Sequence, residues 1–256
     1  MTDPVFLVPD LPAQIDRAGV TGLLRLPPAE ARHAGVKRIR RGEQIVLTDG
    51  AGLGVTATWT GEGDTATGTG VLPRLTPRPR VTVVQALPKA ERSELAVDLA
   101  VQAGADRIIP WQADRCIAKW DRKAAKARSR WEATAVSAMK QSRRTEGAVV
   151  GELLTDIAGL PRALSGRPWR EPVETTRILV LHEEAATPLA EIDLDVDEIV
   201  LVIGPEGGVS PRELAVVASF DDPGGPVVLG PEVYRSAAAA AVALGAVGVL
   251  TDRWAR

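Results

Sequence analysis

The rhythm of hydrophobic and polar positions changes about a third of the way along the chain. Up to residue 72, apolar residues come in short alternating runs bounded by glycine: Glu43-Gln44-Ile45-Val46-Leu47-Thr48, Gly54-Val55-Thr56-Ala57-Thr58-Trp59, and Thr65 to Leu72. Strands with turn signals at this spacing predict a small β-barrel or sheet. A helix is predicted before them, over Pro28 to Val36. It leads into Lys37-Arg38-Ile39-Arg40-Arg41, where four basic residues fall within five positions.

Proline then interrupts the pattern. Pro73-Arg74-Leu75-Thr76-Pro77-Arg78-Pro79-Arg80 reads as a linker, because proline fixes φ and pushes the preceding residue towards extended structure. Beyond it, strands and helices alternate. Strands are expected at Val81–Leu87, Arg107–Pro110, Ala148–Val150, Arg177–Leu181, Ile199–Ile203 and Val227–Leu229. Helices are expected at Glu91–Ala103, Trp120–Ser142 and Ser236–Val249. Such alternation implies a parallel sheet covered by helices. Ser165–Pro172 and Asp222–Pro226 read as surface loops. The expected division is 1–73, a linker at 74–80, and 81–256.

The most informative segment is Ile203-Gly204-Pro205-Glu206-Gly207-Gly208-Val209-Ser210-Pro211-Arg212-Glu213. An apolar strand ends at Gly204, and the bare glycine pair lets the backbone approach a ligand closely. Ser210, Pro211 and Glu213 have the spacing of a capping box that opens a helix. A second strand-to-helix loop follows at Leu229-Gly230-Pro231-Glu232-Val233-Tyr234-Arg235-Ser236. Taken by spacing, either loop is equally well a tight turn with no ligand.

Together the two loops resemble the knot region of the SPOUT methyltransferases, which bind S-adenosylmethionine. The likeness is closest to the family that methylates N3 of a uridine near the 3′ end of 16S rRNA, and it runs over the whole chain. The resemblance implies a C-terminal trefoil knot in an α/β fold and an N-terminal PUA-like β-barrel that contacts RNA. It also implies a homodimer in which the last helix packs against the partner. It places the cofactor, held mainly by backbone, at Leu181, His182 and Glu183, at Ile203, Gly204, Pro205, Glu206, Gly207 and Gly208, and at Leu229, Gly230, Pro231, Val233, Tyr234 and Ser236.

Uracil N3 is a weakly acidic imide, so its methylation calls for a cation beside the developing anion. The resemblance makes Arg235 the candidate catalytic residue, since its family counterpart stands in the knot loop beside the cofactor, and its planar guanidinium suits a uracil carbonyl. Glu206 is expected to bond neighbouring amides and fix its loop, and His182 to cap a strand end. Candidate RNA contacts are the clustered Lys37, Arg38, Arg40 and Arg41, and, as the resemblance implies, Lys89, Arg92, Arg115 and Arg144, which fall in segments similar to the family's. His33 reads as a surface helix residue. The chain departs from the family where Arg235-Ser236-Ala237-Ala238 replaces a Thr-rich helix entry, and where Lys140 stands in place of a Glu. These departures keep open a second reading, an RNA- or ribosome-binding protein with weak or lost transfer. A dinucleotide-binding enzyme fits less well, because no Gly-x-Gly-x-x-Gly follows the first strand of the second region.

Composition narrows this picture. The net charge of the 256-residue chain is −2, so it is not a basic nucleic-acid binder as a whole. Its charge is segregated, however. Between Arg115 and Arg144 ten Lys or Arg stand against two acids, whereas Glu183 to Glu198 holds seven acids and no base. A charge run is ordinarily a solvated face; beside an RNA enzyme the basic block is a candidate phosphate-tracking surface. The single cysteine, Cys116, excludes an intramolecular disulfide and a cysteine-rich metal site. No metal is expected. The absence of a long apolar stretch or a basic leader predicts a soluble cytoplasmic protein. The expected partners are 16S rRNA within the 30S subunit and a second copy of the chain.

Overall fold

The computed structural model describes residues 3–169, 171–221 and 223–255. They fall into two compact units, Met1–Thr76 with Val136–Gly147, and Pro77–Ala135 with Ala148–Arg256. The break at Thr76 lies inside the proline-rich segment. The inclusion of Val136–Gly147 in the first unit is a tertiary feature that no local pattern announces.

The first unit contains β1 (Val5–Leu7), α1 (Leu11–Ala18), β2 (Leu23–Arg25), α2 (Pro28–Val36), β3 (Gln44–Thr48), β4 (Gly54–Trp59) and β5 (Thr65–Val71). Its sheet has the order β1-β3-β4-β5-β2, with β1 parallel to β3 and the other pairs antiparallel. Phe6, Leu11, Leu24, Ile45, Leu47, Val55, Ala57 and Trp59 form its core. Strands β1 and β2 escaped the sequence pattern because they have three residues each, too few to display a period, and α1 was not anticipated either.

The second unit begins with β6 (Arg80–Ala86), α3 (Ala90–Gln102), β7 (Arg107–Trp111), the part of α4 (Ala124–Gln141) up to Ala135, β8 (Val149–Val150) and α5 (Leu160–Ser165). It continues with β9 (Thr176–Leu181), β10 (Glu198–Ile203), α6 (Pro211–Ala218), β11 (Pro223–Val227) and α7 (Ser236–Leu250). Its strands pair in the order β11-β9-β10-β6-β7-β8, all parallel. Every residue of β6 and β10 is buried, as expected of central strands in a covered parallel sheet. Helix α7 packs on α3, β6 and β10.

Three sequence expectations change. Arg80 is not linker: its amide donates to the Asp197 carbonyl at 2.8 Å, and its side chain is 2% exposed beside Asp106 and the Trp169 ring. Pro223–Pro226 is not a loop but most of edge strand β11, paired with β9 through a register shift between Pro223 and Gly225; Asp222 lies outside the described residues. Proline is tolerated at a sheet edge, and glycine permits close approach; a Cβ on Gly224 would lie 2.4 Å from Leu179 Cδ2. Part of the expected loop from Ser165 is also helical, since Ser165 ends α5; Arg170 lies outside the described residues.

No helix among the described residues is long and apolar enough to cross a membrane.

Candidate active site

Three parallel strands end side by side at Leu181 (β9), Ile203 (β10) and Val227 (β11), paired in register. Open α/β sheets bind ligands beyond such carboxyl ends. The loop after β10 is shaped by its glycines and closed by a capping box. Gly208 has φ +73° and donates its amide to the Pro205 carbonyl at 2.9 Å. A Cβ on Gly204 would lie 2.8 Å from Val209 Cγ2. The Glu213 amide donates to Ser210 Oγ at 3.2 Å, and Glu213 Oε2 accepts from the Ser210 amide at 2.8 Å. The capping pattern legible in the sequence is therefore present.

A segment from the end of β7 braces this loop. The Asp114 amide donates to Glu213 Oε1 at 2.7 Å, and Asp114 Oδ2 accepts from Ser210 Oγ at 2.7 Å. Arg212 grips the Asp114 carboxylate through Nη2 at 2.8 Å and Nε at 3.0 Å, and reaches Asp156 at 3.1 Å. Hydrogen bonds from Arg212 and then Ser210 hold the Asp114 carboxyl down at about 2, and the same Asp114 and Asp156 carboxylates raise the Arg212 guanidinium. Arg115 Nη1 donates to the Gly207 carbonyl at 3.0 Å. Glu206, by contrast, is exposed and makes no hydrogen bond among the described residues. The loop is held by Asp114, Arg115 and the capping box, not by Glu206 as the sequence suggested. Asp114 and Asp156 lie outside the motif, and no local signal marks them as its partners.

The other two loops lock onto each other and onto this one. The His182 amide donates to the Val227 carbonyl at 3.0 Å, while its Nδ1 accepts from the Glu184 amide at 3.2 Å. Ser236, the first residue of α7, donates from Oγ to the Gly204 carbonyl at 2.8 Å. It also accepts from Nε2 of the buried Gln85 at 3.1 Å.

The three loops enclose a cavity of about 280 Å³. Of the residues singled out in sequence, Leu181, His182, Glu183, Ile203, Gly204, Pro205, Glu206, Gly208, Leu229, Val233, Tyr234, Arg235 and Ser236 line it. Gly207, Gly230 and Pro231 do not. The structure adds Val209, Val227, Val228, Glu232 and Ala239. Of the apolar members, Val209 belongs to the loop after β10, Val227 ends β11 with Val228 next to it, and Ala239 lies in the first turn of α7. The lining is mixed: aliphatic residues together with the charged Glu183, Glu206, Glu232 and Arg235. A cleft lined by aliphatic and charged residues together suits a small ligand with both apolar and polar parts. Arg235 is exposed and has no side-chain hydrogen bond or ion pair among the described residues, so its guanidinium is available to an incoming group.

The candidate RNA contacts divide between the units. Lys37, Arg38, Arg40, Arg41 and Arg144 belong to the first; Lys89, Arg92 and Arg115 belong to the second. Lys37, Arg38, Arg40 and Arg41 are all exposed, and Arg41 lies 3.6 Å from Glu62. His33 is half-buried with its ring edge-on to Phe6, centroids 6.0 Å apart. Burial and the nearby Lys140 and Lys37 push its pKa down. Lys140 pairs with Glu30 at 2.6 Å.

Comparison with known proteins gives a consistent result. Residues 76–248 match a family model described as "RNA methyltransferase domain". The chain is 47% identical over 233 residues to "Ribosomal RNA small subunit methyltransferase E" of Mycobacterium bovis, covering 88% of this chain and 86% of that protein. Among solved structures it resembles a ribosomal RNA small subunit methyltransferase E from Neisseria gonorrhoeae bound to S-adenosyl methionine. That likeness has a TM-score of 0.80 and 26% identity, over 97% of this chain and 98% of the other. It also resembles the putative methyltransferase Lpg2936 from Legionella pneumophila with bound cofactor SAM, at a TM-score of 0.73 and 26% identity, over 90% and 92% of the two chains.

Proposed function

Because the chain belongs to the RNA methyltransferase family, and within it to the ribosomal RNA small subunit methyltransferase E group, we propose that it methylates N3 of a uridine in 16S rRNA within the 30S subunit, using S-adenosylmethionine. The observation that carries this reading is the cavity at the ends of β9, β10 and β11, where carboxylates and the unpaired Arg235 line the same space.

In this reading the backbones of Leu181–Glu183, Ile203–Gly208 and Leu229–Ser236 hold the cofactor, which supplies an electrophilic methyl group on its sulfonium. The protein's contribution is alignment and charge. The carboxylates of Glu183, Glu206 and Glu232 favour a cationic ligand. Arg235 stabilises the negative charge that N3 of uracil spreads onto its flanking carbonyls, through a planar donor pair. The base must leave any stack or pair to reach the cavity.

Further parts of the proposal rest on particular features. The first unit, with Lys37, Arg38, Arg40 and Arg41 exposed, acts as a PUA-like RNA-binding barrel over residues 1–73, joined by 74–80 to a catalytic domain over 81–256. Lys89, Arg92, Arg115 and Arg144 are further RNA contacts. The C-terminal segment forms a trefoil knot, a reading supported by β11-β9-β10 adjacency and the return of α7 onto β6, β10 and α3. The protein is a homodimer through α7, which leaves Val242, Val249 and Leu250 exposed, with Trp254 just beyond.

The test is transfer of labelled methyl from S-adenosylmethionine to 30S subunits lacking their native methylation, with the product mapped by mass spectrometry. A 3-methyluridine in 16S rRNA is the expected product. Cofactor binding without any transfer to 30S subunits would refute the proposal.

A further inference from the structure

We infer that Lys119, Arg122, Lys123, Lys126 and Arg130, at and just before the start of α4, form a separate docking surface for the phosphate backbone of the RNA substrate. The inference rests on the function proposed above and extends it to a surface outside the cavity. The basic block from Arg115 to Arg144 looks uniform in sequence, but the structure sorts its ten cations into two groups. Arg115 is bonded to the Gly207 carbonyl. Arg128 pairs with Glu132 at 3.1 Å and with Glu152. Lys140 pairs with Glu30, Arg143 donates to the Asp3 carbonyl, and Arg144 is engaged as well. These five cations have internal partners.

The other five do not. Lys119, Arg122, Lys123, Lys126 and Arg130 are all exposed and have no ion pair or side-chain hydrogen bond among the described residues. Arg122 and Lys123 lie in a 3-10 turn, Asp121–Lys123, that leads into α4; within α4, Lys126 and Arg130 lie about 40° apart on one face. Arg128 and Glu132 occupy the other side of the helix. Lys126 and Arg130 are separated by about 6 Å along the α4 axis at 1.5 Å per residue, and Lys119, Arg122 and Lys123 precede them.

This arrangement costs helix stability, because Lys126 and Arg130 stand at i, i+4 spacing in α4 with like charge. Between Lys119 and Arg130 the only acid is Asp121. A polyanion laid along the face relieves the repulsion. A chain of net charge −2 that concentrates unpaired cations at the start of one helix can hold phosphate there without binding RNA over its whole surface.

The experiment uses the full-length protein and the triple variant R122A/K126A/R130A. Alanine keeps the helix at these exposed positions. Binding to a 16S rRNA fragment is followed by fluorescence anisotropy over a series of KCl concentrations, alongside methyl transfer to 30S subunits. We expect the slope of log K against log[salt] to flatten by about 2, at about 0.7 for each phosphate that is no longer neutralised. The KM for 30S subunits should rise by about tenfold or more near physiological salt. The affinity for S-adenosylmethionine should not change. R162A removes an exposed cation from α5 and should leave the slope as it is. An unchanged slope and KM in the triple variant would overturn the inference, as would a slope changed equally by R162A. Failure of the wild type to transfer methyl would refute the proposed function instead, and the binding slopes would still decide whether RNA lies on this face.

Discussion

Ser236 Oγ donates to the Gly204 carbonyl at 2.8 Å, tying the first residue of α7 to the residue that ends β10. The two residues are far apart in sequence, yet this bond sets the distance between two of the three loops around the cavity. Gln85, in the neighbouring central strand, donates to the same hydroxyl. The hydroxyl that remains at this helix entry is therefore used to build the site. Ser236→Ala leaves the Gln85 amide and the Gly204 carbonyl without this partner, at a cost of about 1–3 kcal/mol. The expected result is a lower Tm, by roughly 2–4 °C per kcal/mol for a chain of this size, together with a weaker Kd for S-adenosylmethionine by calorimetry.

Arg235 has a different expected signature. It lines the cavity without an internal partner, so Arg235→Ala should leave folding and cofactor affinity nearly intact. Loss of a donor aimed at developing negative charge lowers kcat by roughly 100-fold or more. Single-turnover transfer to 30S subunits, with cofactor affinity measured in parallel, checks this. Full transfer by the variant would remove Arg235 from the mechanism.

Asp114 gives a pH dependence whose sign is determined by its environment. Its folded-state pKa lies near 2, below the ordinary 3.8, because Arg212 and Ser210 hydrogen-bond the carboxylate. The stabilisation is complete above the unfolded value and is lost as pH falls through the folded one. Asp114→Asn should thus melt below the wild type by a constant margin from pH 7 to pH 5. The margin should close between about pH 4 and pH 2. Thermal melts across that range test it, and a margin that persists at pH 2 would contradict the assignment.

Gly224 tests the edge strand. A Cβ there would meet Leu179 Cδ2 at 2.4 Å and Arg177 Cδ at 2.8 Å, in a strand that pairs with β9. Gly224→Ala should destabilise the protein by about 1–3 kcal/mol through overpacking. If Pro223–Pro226 were a free loop, the same change would be neutral or mildly stabilising, so a chemical denaturation midpoint separates the two.

Much of this protein was determined by local sequence. Continuous apolar runs such as Ile199–Ile203 identify buried parallel strands because both faces are covered. Ser210, Pro211 and Glu213 mark the start of α6 because capping is a short-range matter of backbone donors and one side chain. The two glycine-bearing loops were legible for the same reason, whereas Arg235 was named through the family resemblance. What only the tertiary structure decided depends on partners distant in sequence. Pro223-Gly224-Gly225-Pro226 has the composition of a turn and becomes a strand because β9 offers it an edge. Asp114 and Arg115 have no local signature, yet they hold the Gly204–Ser210 loop across nearly a hundred residues. The ten cations between Arg115 and Arg144 carry equal charge in the sequence, and only folding separates those with partners from those left facing solvent. Periodicity and capping are written within a few residues, whereas hydrogen-bond and ion-pair partners are assigned only when the chain closes on itself.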